Sequence, residues 1–284
     1  MNEKGLGKRL QAARQHAGLT QQQLCQKANL SFSTLTKIER GAIKAPSIFT
    51  IQAIAGALGT SLDDLVGSGM VATSQRQLEV TKSGVRFIYF DVNGCLVHFY
   101  HRAFTKLAQD IGVGSDVIET AFWHFNDEVC KGTLSLSDFN LRLAERLGVS
   151  SIDWAKYYLD TVEPIVEMQD LLTWAAQHYK VGLLTNIMPG LLTSMQSLGI
   201  LPRLNYDAVI DSSVVGAIKP EPQMYEIAQG QAGVAAKEIL LIDDSRANVM
   251  AAERLGWHVL WFDYARPLES VANVREALAP ATTG

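Results

Sequence analysis

Five short apolar runs, at 85–90, 181–184, 208–210, 239–242 and 259–262, recur along the C-terminal two thirds of the sequence. Each is too short for a buried helix, and the stretches between them carry helical periodicity. Strands alternating with helices predict right-handed crossovers and a parallel sheet covered on both faces. One interval departs from the rhythm. Residues 98–165 hold helical patterns only, at 103–111, 116–129, 136–147 and 154–159, which predicts a helical cap inserted after the first strand.

At 284 residues the chain exceeds one typical domain of about 100–200 residues. The excess lies at the N terminus. Leu6, Leu10 and Ala13 mark a first amphipathic helix ending near Gly18; Thr20 can cap a second over 21–28 and Ser31 a third that runs to Arg40 and is closed by Gly41. On the third, Leu35 and Ile38 face inward and Phe32, Ser33, Thr36 and Lys37 outward. Two more helices are expected at 48–58 and 61–66. The expected organisation is an all-α unit over 1–68, a small-polar linker over 69–84, an α/β core formed by 85–97 and 166–284, and the cap over 98–165.

Charge follows the same division. The whole chain carries 25 basic and 29 acidic residues, a net of −4, which by itself argues against a nucleic-acid partner. Residues 1–70 hold eight Lys/Arg against four Asp/Glu, +4; the rest holds 17 against 25, −8. Such asymmetry hints at a nucleic-acid-facing piece joined to something else. Cys25, Cys95 and Cys130 are odd in number and lack paired spacing, so neither a disulfide framework nor a zinc site is expected. The start of the sequence is polar and basic, and the uncharged stretch at 181–202 contains Asn186, Pro189 and Gly190, so a soluble, cytoplasmic protein without membrane contact is expected.

The tight Asn29-Leu30 turn between two helices of about eight to ten residues has the layout of a helix-turn-helix. Gly18-Leu19-Thr20-Gln21-Gln22-Gln23-Leu24, Leu30-Ser31, Thr34-Leu35, Ile38-Glu39-Arg40-Gly41, Pro46 and Ala57-Leu58-Gly59-Thr60-Ser61-Leu62 resemble the XRE/Cro-type DNA-binding domain over its full length. The resemblance implies that Gln21 meets phosphate and that Phe32, Ser33 and Lys37 reach base edges in the major groove. Gln22, Ser31, Thr34 and Arg40 complete the implied DNA-facing set. Glu39 and Arg40 can equally serve as structural ion pairs. An excess of only +4 is modest for DNA, so a homodimer and a salt-sensitive affinity are expected.

In a parallel sheet ligands bind beyond the carboxyl ends of the strands. The polar residues there are Asp91 and Asn93, Thr185 and Asn186, Lys219, and Asp243, Asp244 and Ser245. Carboxylates and a carbonyl suit a magnesium ion; the lysine and the hydroxyl suit a phosphate. Phe90-Asp91-Val92-Asn93-Gly94, Leu184-Thr185-Asn186, Gly216 with Lys219-Pro220-Glu221-Pro222 and Tyr225, and Asp243-Asp244-Ser245 with Asn248 resemble the four motifs of the haloacid dehalogenase (HAD) superfamily, subfamily I with a helical cap. The resemblance implies an α/β Rossmann-like core in which Asp91 takes the phosphoryl group. Magnesium would sit on the Asp91 carboxylate, the Asn93 main-chain carbonyl and Asp243, with Asp244 behind; Thr185, Asn186 and Lys219 would bind the phosphate. The cap residues Phe122, Trp123, His124 and Phe125 would close over the substrate, with part of this run in the core.

One position departs from that pattern. HAD phosphatases usually carry an aspartate two residues after the nucleophile, as general acid and base, and here Asn93 occupies it. Dehalogenases also lack that aspartate, but they use no metal and have little need of the Asp243-Asp244 pair. The expected function is a DNA-binding transcriptional regulator whose HAD-like unit senses a phosphorylated small molecule, with weak phosphatase activity. The alternatives are a phosphohydrolase whose helix-turn-helix localises or autoregulates it, a dehalogenase, and a protein-docking role for the small unit. Cys95 is expected in the core, His98 and His101 on the surface or facing the cap cleft, and His16 and His178 as ordinary helix residues.

Overall fold

In the computed structural model, residues 3–43, 46–58 and 78–280 are described. The chain divides into two compact units, Met1–Arg76 and Gln77–Gly284.

The first unit contains helices α1 (Glu3–His16), α2 (Gln21–Ala28), α3 (Phe32–Glu39) and α4 (Ile48–Leu58). The helix expected at 61–66 lies outside the described residues. A capping box starts α2: the Thr20 hydroxyl accepts from the Gln23 amide at 3.2 Å and the Gln23 side chain accepts from the Thr20 amide at 2.8 Å. Asn29 ends it in the left-handed region, and Ser31 caps α3 by accepting from the Thr34 amide. The core is Leu10, Leu24, Leu35, Ile38, Ile51 and Ile54. Gly7 is required by contact: a Cβ there would lie 2.4 Å from the Ile38 carbonyl oxygen, so α1 and α3 touch backbone to backbone.

The second unit is a five-stranded parallel sheet in the order β3-β2-β1-β4-β5, with β1 (Phe87–Phe90), β2 (Lys180–Thr185), β3 (Ala208–Asp211), β4 (Ile239–Asp243) and β5 (His258–Trp261). Alternation splits the core between two faces. Ile88 and Phe90 join the cluster that continues into the inserted helices, whereas Phe87 and Tyr89 join the one beneath Tyr225 and Trp257. The insert is α5 (His101–Ile111), α6 (Ser115–Cys130), α7 (Leu136–Leu147) and α8 (Trp154–Thr161), closed on itself around Phe104, Phe122, Phe139 and Trp154. Helices α9 (Val166–His178), α10 (Leu191–Ser197), α11 (Ser212–Val215), α12 (Pro222–Ala232), α13 (Arg246–Arg254) and α14 (Pro267–Ala277) complete the unit. An all-α unit joined to an α/β parallel-sheet unit with a helical insert is the expected fold class.

Element ends shift by one or two residues. Val85 lies outside β1 because its amide donates to the Thr81 hydroxyl at 3.0 Å and takes no place in the ladder. Among the described residues no helix is long and apolar enough to cross a membrane.

Candidate functional site

Parallel pairing carries β1, β2 and β4 to one edge of the sheet, and the polar residues that follow them meet there. The Lys219 ammonium contacts Asp91 Oδ1 at 2.7 Å and Asp243 Oδ2 at 2.6 Å, and donates to the Leu184 carbonyl at 2.8 Å. All three side chains are buried. Asp243 also accepts from the Ser245 amide at 2.9 Å and from Asn248 Nδ2 at 3.0 and 3.2 Å, which fixes both of its oxygens. Oxygens of Asp91, Asp243 and Asp244 lie within 4.8 Å of one another.

Three carboxylates face one ammonium in a buried site. Burial raises the Asp91 carboxyl well above the ordinary range, and the charges of Asp243 and Asp244 add to the rise against the pull of Lys219. Burial and Asp243 push Asp244 up to about 6. Burial opposes the charge on Lys219, but Asp243 and Asp91 outweigh it and hold the ammonium protonated. The surplus of negative oxygen donors fits a hard divalent cation. Gly94 admits this packing: at φ +88° its missing Cβ would fall 2.1 Å from Asp244 Oδ2, so only glycine lets that carboxylate rest on the loop after β1.

Thr185, at the end of β2, is fully buried and its hydroxyl has no hydrogen-bond partner among the described residues. An unpaired buried hydroxyl costs about 1–3 kcal/mol, a debt that a phosphate oxygen would remove. The Asn186 side chain is committed within the protein. Its Nδ2 donates to the Lys219 carbonyl and its Oδ1 accepts from the Lys219 amide, both at 2.8 Å, so its side chain clamps the lysine loop.

Asn93 is buried and saturated. Its Nδ2 donates to the Tyr100 hydroxyl at 3.2 Å and to the Asn186 carbonyl at 3.3 Å, and its Oδ1 accepts from the Tyr158 hydroxyl. Tyr158 comes from α8 and Tyr100 from the start of the insert, so the cap holds the loop after β1 directly. These two tyrosines, with Asn248, are the site residues that sequence reasoning left without a role. Of the aromatic run on α6, Phe122 is core, Phe125 half-buried, Trp123 half exposed and stacked on Phe99 at 5.8 Å, and His124 exposed. Cys95 is buried with its thiol toward the Ile242 carbonyl, and burial raises its pKa. His98 and His101 are exposed, while His178 contacts Glu79.

On the first unit, Phe32, Ser33 and Lys37 lie exposed along α3, beside exposed Gln22 and Arg40. Phe32 keeps half its surface in solvent at 51%. Ser31 and Thr34 are engaged in the cap, hydroxyl to hydroxyl at 2.7 Å. Gln21 turns inward: its Nε2 donates to Glu39 Oε2 at 2.6 Å, and Glu39 is paired with buried Arg14 at 2.8 Å. The carboxylate draws the amide because Arg14 alone leaves lone pairs of a buried ion unsatisfied. Glu39 is thus a structural ion-pair partner, and Arg40 remains on the surface.

Residues 10–65 match the helix-turn-helix family and residues 85–256, well over half the chain, the haloacid dehalogenase-like hydrolase family. Similar curated proteins include the immunity repressor protein of Bacillus phage phi105, 48% identical over 62 residues, which covers 22% of this chain and 42% of the repressor. Phosphoglycolate phosphatase of Yersinia pseudotuberculosis is 31% identical over 114 residues, 38% of this chain and 48% of that enzyme. The chain spans less than half the length of these relatives. Among solved structures, a variant of a HAD family enzyme from Bacteroides thetaiotaomicron, in complex with magnesium and inorganic phosphate, shares the fold. Its TM-score is 0.53 at 22% identity, over 64% of this chain and 95% of that one. The chain belongs to the haloacid dehalogenase-like hydrolase family and carries an XRE-type helix-turn-helix DNA-binding domain at its N terminus.

Proposed function

We propose that the protein is a cytoplasmic, homodimeric transcriptional regulator. Its helix-turn-helix binds an operator, and its HAD-like unit binds Mg2+ and a phosphorylated small molecule as a sensor with weak phosphatase activity. The observation that carries the reading is the cluster of buried Asp91, Asp243 and Lys219 with half-buried Asp244, beside a Thr185 hydroxyl that has no partner among the described residues. It is joined in one chain to an exposed α3 face. The magnesium and phosphate in the Bacteroides thetaiotaomicron structure support the ligand class.

When bound, magnesium would neutralise phosphate oxygens and hold them against Asp91. Asp91, Asp243, Asp244 and the Asn93 main-chain carbonyl would hold it. Lys219 orients Asp91 and balances its charge, Thr185 donates to a phosphate oxygen, and Asn186 with Asn248 keeps Lys219 and Asp243 in place. Asn93 contributes no proton, which limits phosphomonoester turnover. On α3, Phe32, Ser33 and Lys37 meet base edges, while Gln22 and Arg40 flank them on the backbone side.

Selection from a random DNA library tests the regulator reading: an enriched operator is expected, and failure to enrich any sequence refutes it. The enzyme-first reading is favoured by the complete Asp91–Lys219–Asp243 arrangement. A phosphatase screen in magnesium beside Asp91→Asn decides it; turnover at ordinary enzyme rates, lost in the variant, replaces the sensor with a hydrolase.

A further inference from the structure

We propose that the HAD-like unit takes a phosphoryl group from acyl phosphates and keeps it on Asp91 as a long-lived aspartyl phosphate. This rests on the reading of Asp91 as a phosphoryl acceptor.

The environment of Asn93 carries the inference. An amide neither gives nor takes a proton at neutral pH. Every polar atom of this one is engaged, with Tyr100 and Asn186 on the nitrogen and Tyr158 on the oxygen. The hydroxyl hydrogen of Tyr158 points at Asn93 Oδ1 and is therefore already spent. The ammonium of Lys219 is directed at Asp91, Asp243 and the Leu184 carbonyl. The site thus presents a nucleophile, a charge-balancing lysine, the Thr185 hydroxyl and Asp244, whose carboxylate the metal would hold, while residue 93 has no proton to give or take.

Two consequences follow from proton accounting. In transfer from an acyl phosphate, an Asp91 oxygen attacks phosphorus and the bond from phosphorus to the acyl oxygen breaks with its electron pair. The products are the aspartyl phosphate and a free carboxylate, which leaves as a stable anion and needs no proton. A phosphate ester of an alcohol must instead release an alkoxide, which needs one. Hydrolysis of the aspartyl phosphate has the same need in reverse, because the attacking water must lose a proton. A positioned acid or base is worth about 10²–10⁴ in rate, and residue 93 withholds it from both steps. The same amide therefore selects donors with carboxylate leaving groups and preserves the phosphorylated protein.

The test uses the full chain in MgCl2 with acetyl phosphate as the probe, read by intact mass. A gain of one phosphoryl group is expected, absent in Asp91→Asn and absent when glycerol phosphate replaces acetyl phosphate. After donor removal, the label should decay no faster on the folded chain than on the same phosphorylated chain unfolded in urea. Asn93→Asp should shorten its life by about a hundredfold, and the urea comparison stands if that variant does not fold. Decay more than about tenfold faster in the folded protein overturns the proposal, as does labelling by glycerol phosphate at the acetyl phosphate rate. Beryllofluoride binding with magnesium, measured by calorimetry, separates the levels of failure. Binding without labelling overturns this proposal and leaves the phosphate-site reading standing; absence of binding overturns both.

Discussion

Asp91 and Asp244 both carry raised carboxyl pKa values because burial and neighbouring carboxylates disfavour their ionised forms. A group raised in this way stabilises the folded unit below its unfolded value near 3.8 and loses that contribution as pH rises through its folded value, about 6 for Asp244. Without magnesium, the HAD-like unit should therefore melt lower at pH 7.5 than at pH 5, and magnesium should remove the difference; calorimetric scans with chelator and with MgCl2 check this. Ligation requires the deprotonated forms, so apparent magnesium affinity should fall below pH 6 by up to about tenfold per unit for each proton displaced. Gly94 belongs to the same balance. Any side chain there collides with the Asp244 carboxylate, and Gly94→Ala is expected to weaken magnesium binding, read by titration calorimetry, more than it lowers the melting temperature.

The helix-turn-helix is held by helix caps and by the buried Arg14–Glu39 ion pair, and the two make different predictions. Ser31→Ala removes a cap that accepts from the Thr34 amide and should cost about 1 kcal/mol in denaturant unfolding of the first unit. Glu39→Ala strands Arg14 in the interior and should cost about 3–5 kcal/mol, enough to unfold a small unit. Phe32→Ala, on an exposed face, should leave stability unchanged while lowering operator affinity in anisotropy titrations. Elements of this kind were legible from sequence wherever signals are local. Thr20 and Ser31 precede their helices, Asn29 marks the turn, and the short apolar runs fix the strands to within two residues. Asp91, Lys219 and Asp243 were legible because strand ends gather on one edge of a parallel sheet. Contacts across long separations were not. Nothing near Tyr158 signals that it reaches Asn93 sixty-five residues away, and nothing near Gln21 signals that a carboxylate eighteen residues on will turn it inward. Both depend on how independently formed helices pack.

Across the whole molecule, the charge division and the site chemistry meet in one thermodynamic statement. A ligand at the HAD-like unit alters operator affinity only by binding the DNA-competent and incompetent states unequally, and the coupling is then reciprocal. If magnesium with beryllofluoride changes operator affinity by some factor, saturating operator must change beryllofluoride affinity by the same factor. Couplings of this kind are typically about 5–150-fold, well within the reach of anisotropy and calorimetry. Equal factors from the two titrations are expected, and an unaltered operator affinity in saturating beryllofluoride would leave the two units as independent activities on one chain. Salt supplies the control. DNA affinity carried by residues 1–70, net +4, should fall linearly in log–log form as counterions are released. Binding of beryllofluoride at buried Asp91 exchanges few surface ions and should change much less over the same range. A coupling factor that holds while absolute operator affinity falls with salt would place the linkage in the protein's conformational equilibrium and not in direct charge repulsion between ligand and DNA.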